Sequence, residues 1–193
     1  MEYIYIGISI IIAIVLHEMA HGYMSYWLGD STAKQAGRLS INPLNHLDPV
    51  GTICLFLFHF GWAKPVPIDS SYYKNEKLGV CLVAMAGPLM NFILALIATL
   101  LLNITNSVYI ISFLQCFISI NVGLMTFNLI PIPPLDGSKI LAIVLPHNIY
   151  EKVLGVQQYS VFFLMLILYT GILNPVLSYL QNGVLNILSL FIF

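Results

Sequence analysis

The sequence predicts an all-α polytopic membrane protein, with about five spanning segments and one re-entrant or hairpin loop held against the membrane. Three observations predict it. Of 193 residues, 59% are hydrophobic and only 8% charged, against the ~25% charge of ordinary soluble domains. With a mean hydropathy of +0.91, a core of this size cannot shelter the apolar surface from water. Apolar runs of spanning length also recur between short polar breaks, and Lys and Arg are confined to alternate connections.

Residues 3–28 make the first span. From Tyr3 to Val15 every residue is apolar except Gly7 and Ser9, and the pattern runs on through Trp27 and Leu28. A helix of that length reaches ~39 Å, enough to cross a hydrocarbon core of ~30 Å. Gly29-Asp30-Ser31 marks the exit. Residues 30–79 then form a loop punctuated by Asn42-Pro43, Asp48-Pro49 and Lys64-Pro65-Val66-Pro67. Within it, residues 53–62 are apolar but too short to span, and read as the re-entrant or hairpin piece. His46, Asp48 and His59 in this loop read as interfacial polar residues.

A second span covers 80–102 and a third 108–130, joined by the polar turn 103–107. The prolines of Pro131-Ile132-Pro133-Pro134-Leu135-Asp136-Gly137 forbid a regular helix there. An apolar half-helix over 140–145 stops at Pro146, residues 147–158 read as loop, and 159–173 and 176–193 supply two additional short spans. The chain is expected to form a single domain over 1–193, with its core in 1–145.

Composition excludes several classes. A net charge of −1 offers no basic surface to nucleic acid. Cys54, Cys81 and Cys116 stand singly in apolar surroundings, so neither a disulfide framework nor a thiolate zinc site is indicated. Glu2 precedes the first apolar run with no Lys or Arg before it and no small-residue cleavage site after it, unlike a signal peptide. Lys34, Arg38, Lys64, Lys74 and Lys77 lie between the first and second spans, and Lys139 and Lys152 between the third and fourth. The positive-inside rule puts both groups in the cytoplasm, so the expected protein is multi-pass, with its polar cluster nearer the cytoplasmic face.

That cluster is the informative stretch. His17-Glu18-Met19-Ala20-His21 sits inside the first span without a turn signal. On a helix His17 and His21 are ~40° apart and one turn apart in height, with Glu18 beside them. Such spacing offers a divalent cation two nitrogen ligands and a neighbouring general base. A tetrahedral hydrolytic zinc site needs a third protein ligand and an open position. Among the remaining carboxylates Asp136 alone is enclosed between apolar spans, held by Pro133-Pro134 before it and Gly137 after it. Two neutral imidazoles and two carboxylates carry −2, which one Zn²⁺ offsets. Without a metal, two carboxylates in a low-dielectric site are costly. Histidines in a span also serve as interhelical hydrogen-bonding groups, but clustered ionisable residues there point to function.

Several stretches together resemble the site-2 protease family of intramembrane metalloproteases, in a short form without a PDZ domain. His17 to His21 is similar to that family's zinc-binding helix. Asn128-Leu-Ile-Pro131-Ile-Pro133-Pro134-Leu135-Asp136-Gly137 resembles its second signature, and Ala86-Gly87-Pro88-Leu89-Met90-Asn91 its small-residue motif. Gly37-Arg-Leu-Ser-Ile-Asn42-Pro43 and Gly61-Trp-Ala-Lys64-Pro65-Val-Pro67 resemble its membrane-associated loop. The likeness covers about 13–145. It implies one Zn²⁺ per chain held by His17, His21 and Asp136, with Glu18 as general base for peptide hydrolysis. It also implies a substrate that is itself a membrane protein with a transmembrane segment, lying in the same lipid bilayer. Asn128 and Asn91 are amides in apolar spans, suited to holding substrate backbone or a ligand from behind. For Asn91, plain interhelical bonding is an equal reading. Gly87 and Pro88 read as sites of close helix packing and a kink. The loop at 36–68 could add an unwound substrate strand by β-augmentation. A non-proteolytic zinc scaffold and a transporter or proton relay remain the other function classes, and the sequence leaves the oligomeric state open.

Overall fold

The computed structural model describes residues 1–58, 61–145 and 159–192. Its frame is three long helices: α1 (Glu2–Trp27), α4 (Glu76–Leu102) and α5 (Val108–Asn128). All three are long and apolar enough to cross a membrane. They pack against one another pairwise, and α6 (Asp136–Val144) packs on α4. No named strand occurs among the described residues, so the architecture is the all-helical membrane bundle expected.

Local sequence explains the ends of these helices. Helix α4 begins one turn earlier than its hydropathy suggests, because the Asn75 side chain accepts a hydrogen bond from Leu78 N–H and caps it. It runs through Pro88 to Leu102 as one helix. Helix α5 ends at Asn128 instead of 130, since Pro131 lies three residues on. Helix α6 starts at Asp136 rather than at 140: the proline turn is complete by Leu135, whose carbonyl accepts from both Ser138 N–H and Ser138 Oγ. The Pro133–Pro134 peptide in that turn is cis.

Small residues let the helices approach. Ala95 and Ala98 of α4 lie in a buried cluster with Leu114, Phe117, Ile118 and Val122 of α5. The loop after α1 holds short α2 (Thr32–Gln35) and α3 (Pro49–Phe58), with 3-10 turns at Pro43–Asn45 and Ser70–Tyr72. Asp48 initiates α3 by accepting from Gly51 N–H. The expected hairpin reduces, among the described residues, to one antiparallel bridge, Leu47 to Ala63. Pro65 and Pro67 lack the N–H groups to extend it. His46 is fully buried within the protein, and its Nε2 donates to the Ser40 carbonyl at 2.6 Å. Residue His59 lies outside the described residues.

The C-terminal region ends in a bent helix pair. Helices α7 (Ser160–Thr170) and α8 (Asn174–Ser189) meet at 87°, the geometry of a broken span or a re-entrant loop. Among the described residues, three helices are long and apolar enough to cross a membrane, or four spans if the bent pair is counted as one. The bend arises at Gly171, in the left-handed region at φ 68°, which ends α7. Their inner faces cover the proline turn: Leu164 and Leu168 of α7 and Leu177 of α8 pack with Ile130 and Leu135.

Candidate metal centre

Helix α1 delivers His17 and His21 one turn apart on its inner face, both nearly buried at 6% and 5% exposure. The proline turn and the start of α6 deliver Asp136, 7% exposed and 119 residues from His17. The three converge. His17 Nε2 lies 3.0 Å from His21 Nε2, and Asp136 Oδ2 lies 3.2 Å and 3.0 Å from the two nitrogens. Among the described residues this is the single group of three His, Cys, Asp or Glu side chains able to share an ion.

What holds each ligand from behind is equally specific. His17 Nδ1 lies 2.6 Å from Asn91 Oδ1, and His21 Nδ1 lies 2.7 Å from the Val83 carbonyl. Both acceptors require the Nδ1 atoms to carry the hydrogens, so both Nε2 atoms present lone pairs in the neutral rings. Lys139, one turn into α6, takes Asp136 Oδ1 at 3.1 Å and leaves Oδ2 turned inward. Three lone pairs therefore point at one another with no hydrogen between them. That is repulsive unless a cation sits among them. Tetrahedral zinc ligands at ~2.0–2.1 Å from the ion stand about 3.3 Å from each other, so spacings of 3.0–3.2 Å fit the metal.

Two glycines make the convergence sterically possible. A Cβ on Gly87 of α4 would sit 2.5 Å from His17 Cε1 and 2.5 Å from His21 Nε2. One on Gly137 would strike the Leu129 and Ile130 carbonyls, so the turn closes tightly over the start of α6 only because that position is bare. Gly87, expected as a packing residue, thus packs against the two imidazoles themselves.

Glu18 follows His17 on α1, is half-buried, and makes no hydrogen bond among the described residues. Asn91 is drawn into the cluster; Asn128 is not. Asn128 Nδ2 donates to Leu124 in its own helix at 3.0 Å, and its carbonyl oxygen makes no hydrogen bond among the described residues. Sequence reasoning missed Asn121, which accepts from Asn91 Nδ2 at 2.9 Å. Its signal was available, as one more amide in an apolar span.

The loop is tied to the same end of the bundle. Asp30, fully buried, accepts from Ser25 Oγ at 2.7 Å, Thr32 N–H at 2.8 Å and Asp69 N–H at 2.9 Å. Because Ser25 gives its proton to Asp30, Tyr73 donates to Ser25 Oγ at 2.6 Å. Burial opposes the Asp30 charge, but the hydrogen bonds from Thr32, Asp69 and Ser25 outweigh it and hold this carboxyl below its ordinary pKa.

Comparison with known proteins shows which family the chain resembles. The family model described as peptidase family M50 matches residues 103–168. YwhC of Bacillus subtilis, named as a zinc metalloprotease, is 38% identical over 192 residues, covering 94% of this chain and 86% of its own length. Rip2 of Mycolicibacterium smegmatis, also so named, is 26% identical over 194 residues, covering 88% of this chain and 71% of its own. A similarly named Methanocaldococcus jannaschii protein is 40% identical over 95 residues, 48% of this chain and 49% of that one. No solved structure matches the chain.

Proposed function

The chain belongs to peptidase family M50 and is a membrane zinc metalloprotease, and from that premise we propose that it hydrolyses a peptide bond within or near the transmembrane segment of another membrane protein. His17, His21 and Asp136 hold one zinc ion per chain, and Glu18 is the general base. The observation that carries this reading is the convergence of three lone pairs, 3.0–3.2 Å apart, each on a side chain whose other polar atom is already engaged.

When bound, zinc supplies Lewis acidity, which polarises the scissile carbonyl and makes a water more acidic. The chain's own groups do the rest. Asn91 and the Val83 carbonyl keep the Nδ1 hydrogens of His17 and His21 engaged, so neither ring turns its N–H towards the ion. Lys139 restrains Asp136 to one inward oxygen and offsets its charge. Glu18 has a carboxylate free of hydrogen bonds among the described residues. It takes a proton from the attacking water, holds it on a carboxylate oxygen and passes it to the leaving amine. Asn128, whose carbonyl oxygen makes no hydrogen bond among the described residues, offers an acceptor to an N–H of the extended substrate backbone. The buried bundle around the ligands limits bulk water there. Lys139 beside Asp136 shares a charge sign with the 30–79 loop, which supports a site nearer the cytoplasmic face.

Detergent-purified wild type and Glu18→Gln, assayed for bound zinc and for cleavage of single-span membrane substrates, test the reading. The expected result is zinc near one per chain in both and cleavage reduced by about 10²–10⁴-fold in the variant. Wild type without zinc would overturn the ligand set, and full cleavage by Glu18→Gln would overturn the base.

A further inference from the structure

We propose that Asn121 of α5 is a positioning residue for the metal centre, fixing through Asn91 which nitrogen of His17 is free to bind the ion. The inference rests on the ligand set proposed above. Asn91 and Asn121 are both fully buried. A primary amide has nearly the same shape with its oxygen and nitrogen exchanged, so packing alone does not orient either one. The orientation comes from a backbone group. The Phe117 carbonyl can only accept, so Asn121 must turn its NH₂ to it, at 2.9 Å. Asn121 Oδ1 then faces Asn91 and accepts from Asn91 Nδ2 at 2.9 Å. The Ala13 carbonyl, 3.4 Å from that same nitrogen, agrees in sense but is a long contact. Asn91 Oδ1 is left facing His17 Nδ1 at 2.6 Å.

The end of the chain is the tautomer. With Asn91 Oδ1 beside it, Nδ1 carries the hydrogen and Nε2 the lone pair. Were Asn91 turned over, its NH₂ would require a lone pair on Nδ1. The ring hydrogen would then sit on Nε2, aimed at His21 Nε2 and Asp136 Oδ2, and that nitrogen could not ligate. His21 needs no such relay, because its Nδ1 faces the Val83 backbone carbonyl, which cannot turn over. The metal-binding form of His17 is therefore set by a carbonyl two side chains away on another helix.

The obvious alternative is that Asn121 merely ties α5 to α4. Chelator-driven zinc loss from the purified full chain separates the two, alongside the visible spectrum of the Co²⁺-loaded protein. Asn121→Leu is expected to release zinc about tenfold faster or more and to shift the cobalt bands. Asn121→Asp, buried and neutral, keeps one acceptor for Asn91 and one donor for Phe117, so its zinc retention stays at the wild-type level. Asn91→Asp, unlike Asn121→Asp, lies directly against the Nδ1–H of a cation-bound His17 and stays ionised there, so it presents an acceptor to His17 whichever way it turns. The double variant Asn91→Asp with Asn121→Leu is therefore expected to retain zinc as well as Asn91→Asp alone. A purely structural tie predicts no such rescue. Unchanged zinc loss in Asn121→Leu, or a double variant as leaky as Asn121→Leu, would overturn the relay. Wild type that takes up no zinc, or His17→Ala that keeps it, would instead sink the ligand set and this proposal with it.

Discussion

Gly87 shows how much of this centre depends on a side chain that is missing. The imidazoles of His17 and His21 pass where its Cβ would be, so Gly87→Ala has to push one ring off the other. Overpacking of this kind costs about 1–3 kcal/mol, and here the displaced atoms are the proposed ligands. The expected outcome is a folded helical protein by circular dichroism that binds zinc well below one per chain; normal zinc content would show that the rings move aside freely. At this scale the sequence was legible where chemistry is written as spacing. His17, Glu18 and His21 follow from a helical period inside an apolar run, and Asp136 from the proline bracket around it. The pairings of Asn121 with Asn91 and of the Val83 carbonyl with His21 were not legible, because a hydrogen bond between helices depends on their rotation and height. Neither is recorded in either helix alone. Gly87 was read as a packing residue, but what it packs against could be named only once α1 and α4 were side by side.

The elements that aim the ligands are not confined to the helices that carry them. The turn before α6 is covered by Leu164 and Leu168 of α7 and Leu177 of α8, so the C-terminal helices brace the segment that presents Asp136. Hydropathy reads these stretches as two additional short spans. Their bend of 87° turns on the conformation at Gly171, which composition does not disclose. Beyond the end of α1, Asp30 fastens the loop to that helix through Ser25, Thr32 and the Asp69 N–H. Its carboxyl is depressed in the folded protein, so the unfolded state binds the proton first as pH falls. The anchoring contribution is complete above the unfolded value of ~3.9. It is lost as pH drops through the lower folded value. Thermal stability of wild type is expected to fall in that acid window, whereas Asp30→Asn, less stable at neutral pH, loses less on acidification. Identical acid profiles for the two proteins would show that the anchor lies elsewhere.

At the scale of the whole molecule, charge and helix order agree on one orientation. The exposed side chains of Lys34, Lys64 and Lys74 belong to the loop between α1 and α4, and that of Lys77 to the first turn of α4 on the same side. In sealed inverted vesicles a membrane-impermeant amine reagent is expected to modify these lysines, and in intact cells to leave them untouched. The opposite pattern would reverse the positive-inside assignment. The separation of His17 and Asp136 by 119 residues adds a dimension of time. At roughly 5–20 residues per second of synthesis, His17 is made about 6–24 s before the aspartate. For that interval the nascent chain carries a base and two imidazoles but no third anchor, and it sits among other newly inserted membrane segments. If cleavage needs all three side chains, as proposed, a chain truncated before α6 is expected to leave a co-expressed membrane substrate intact.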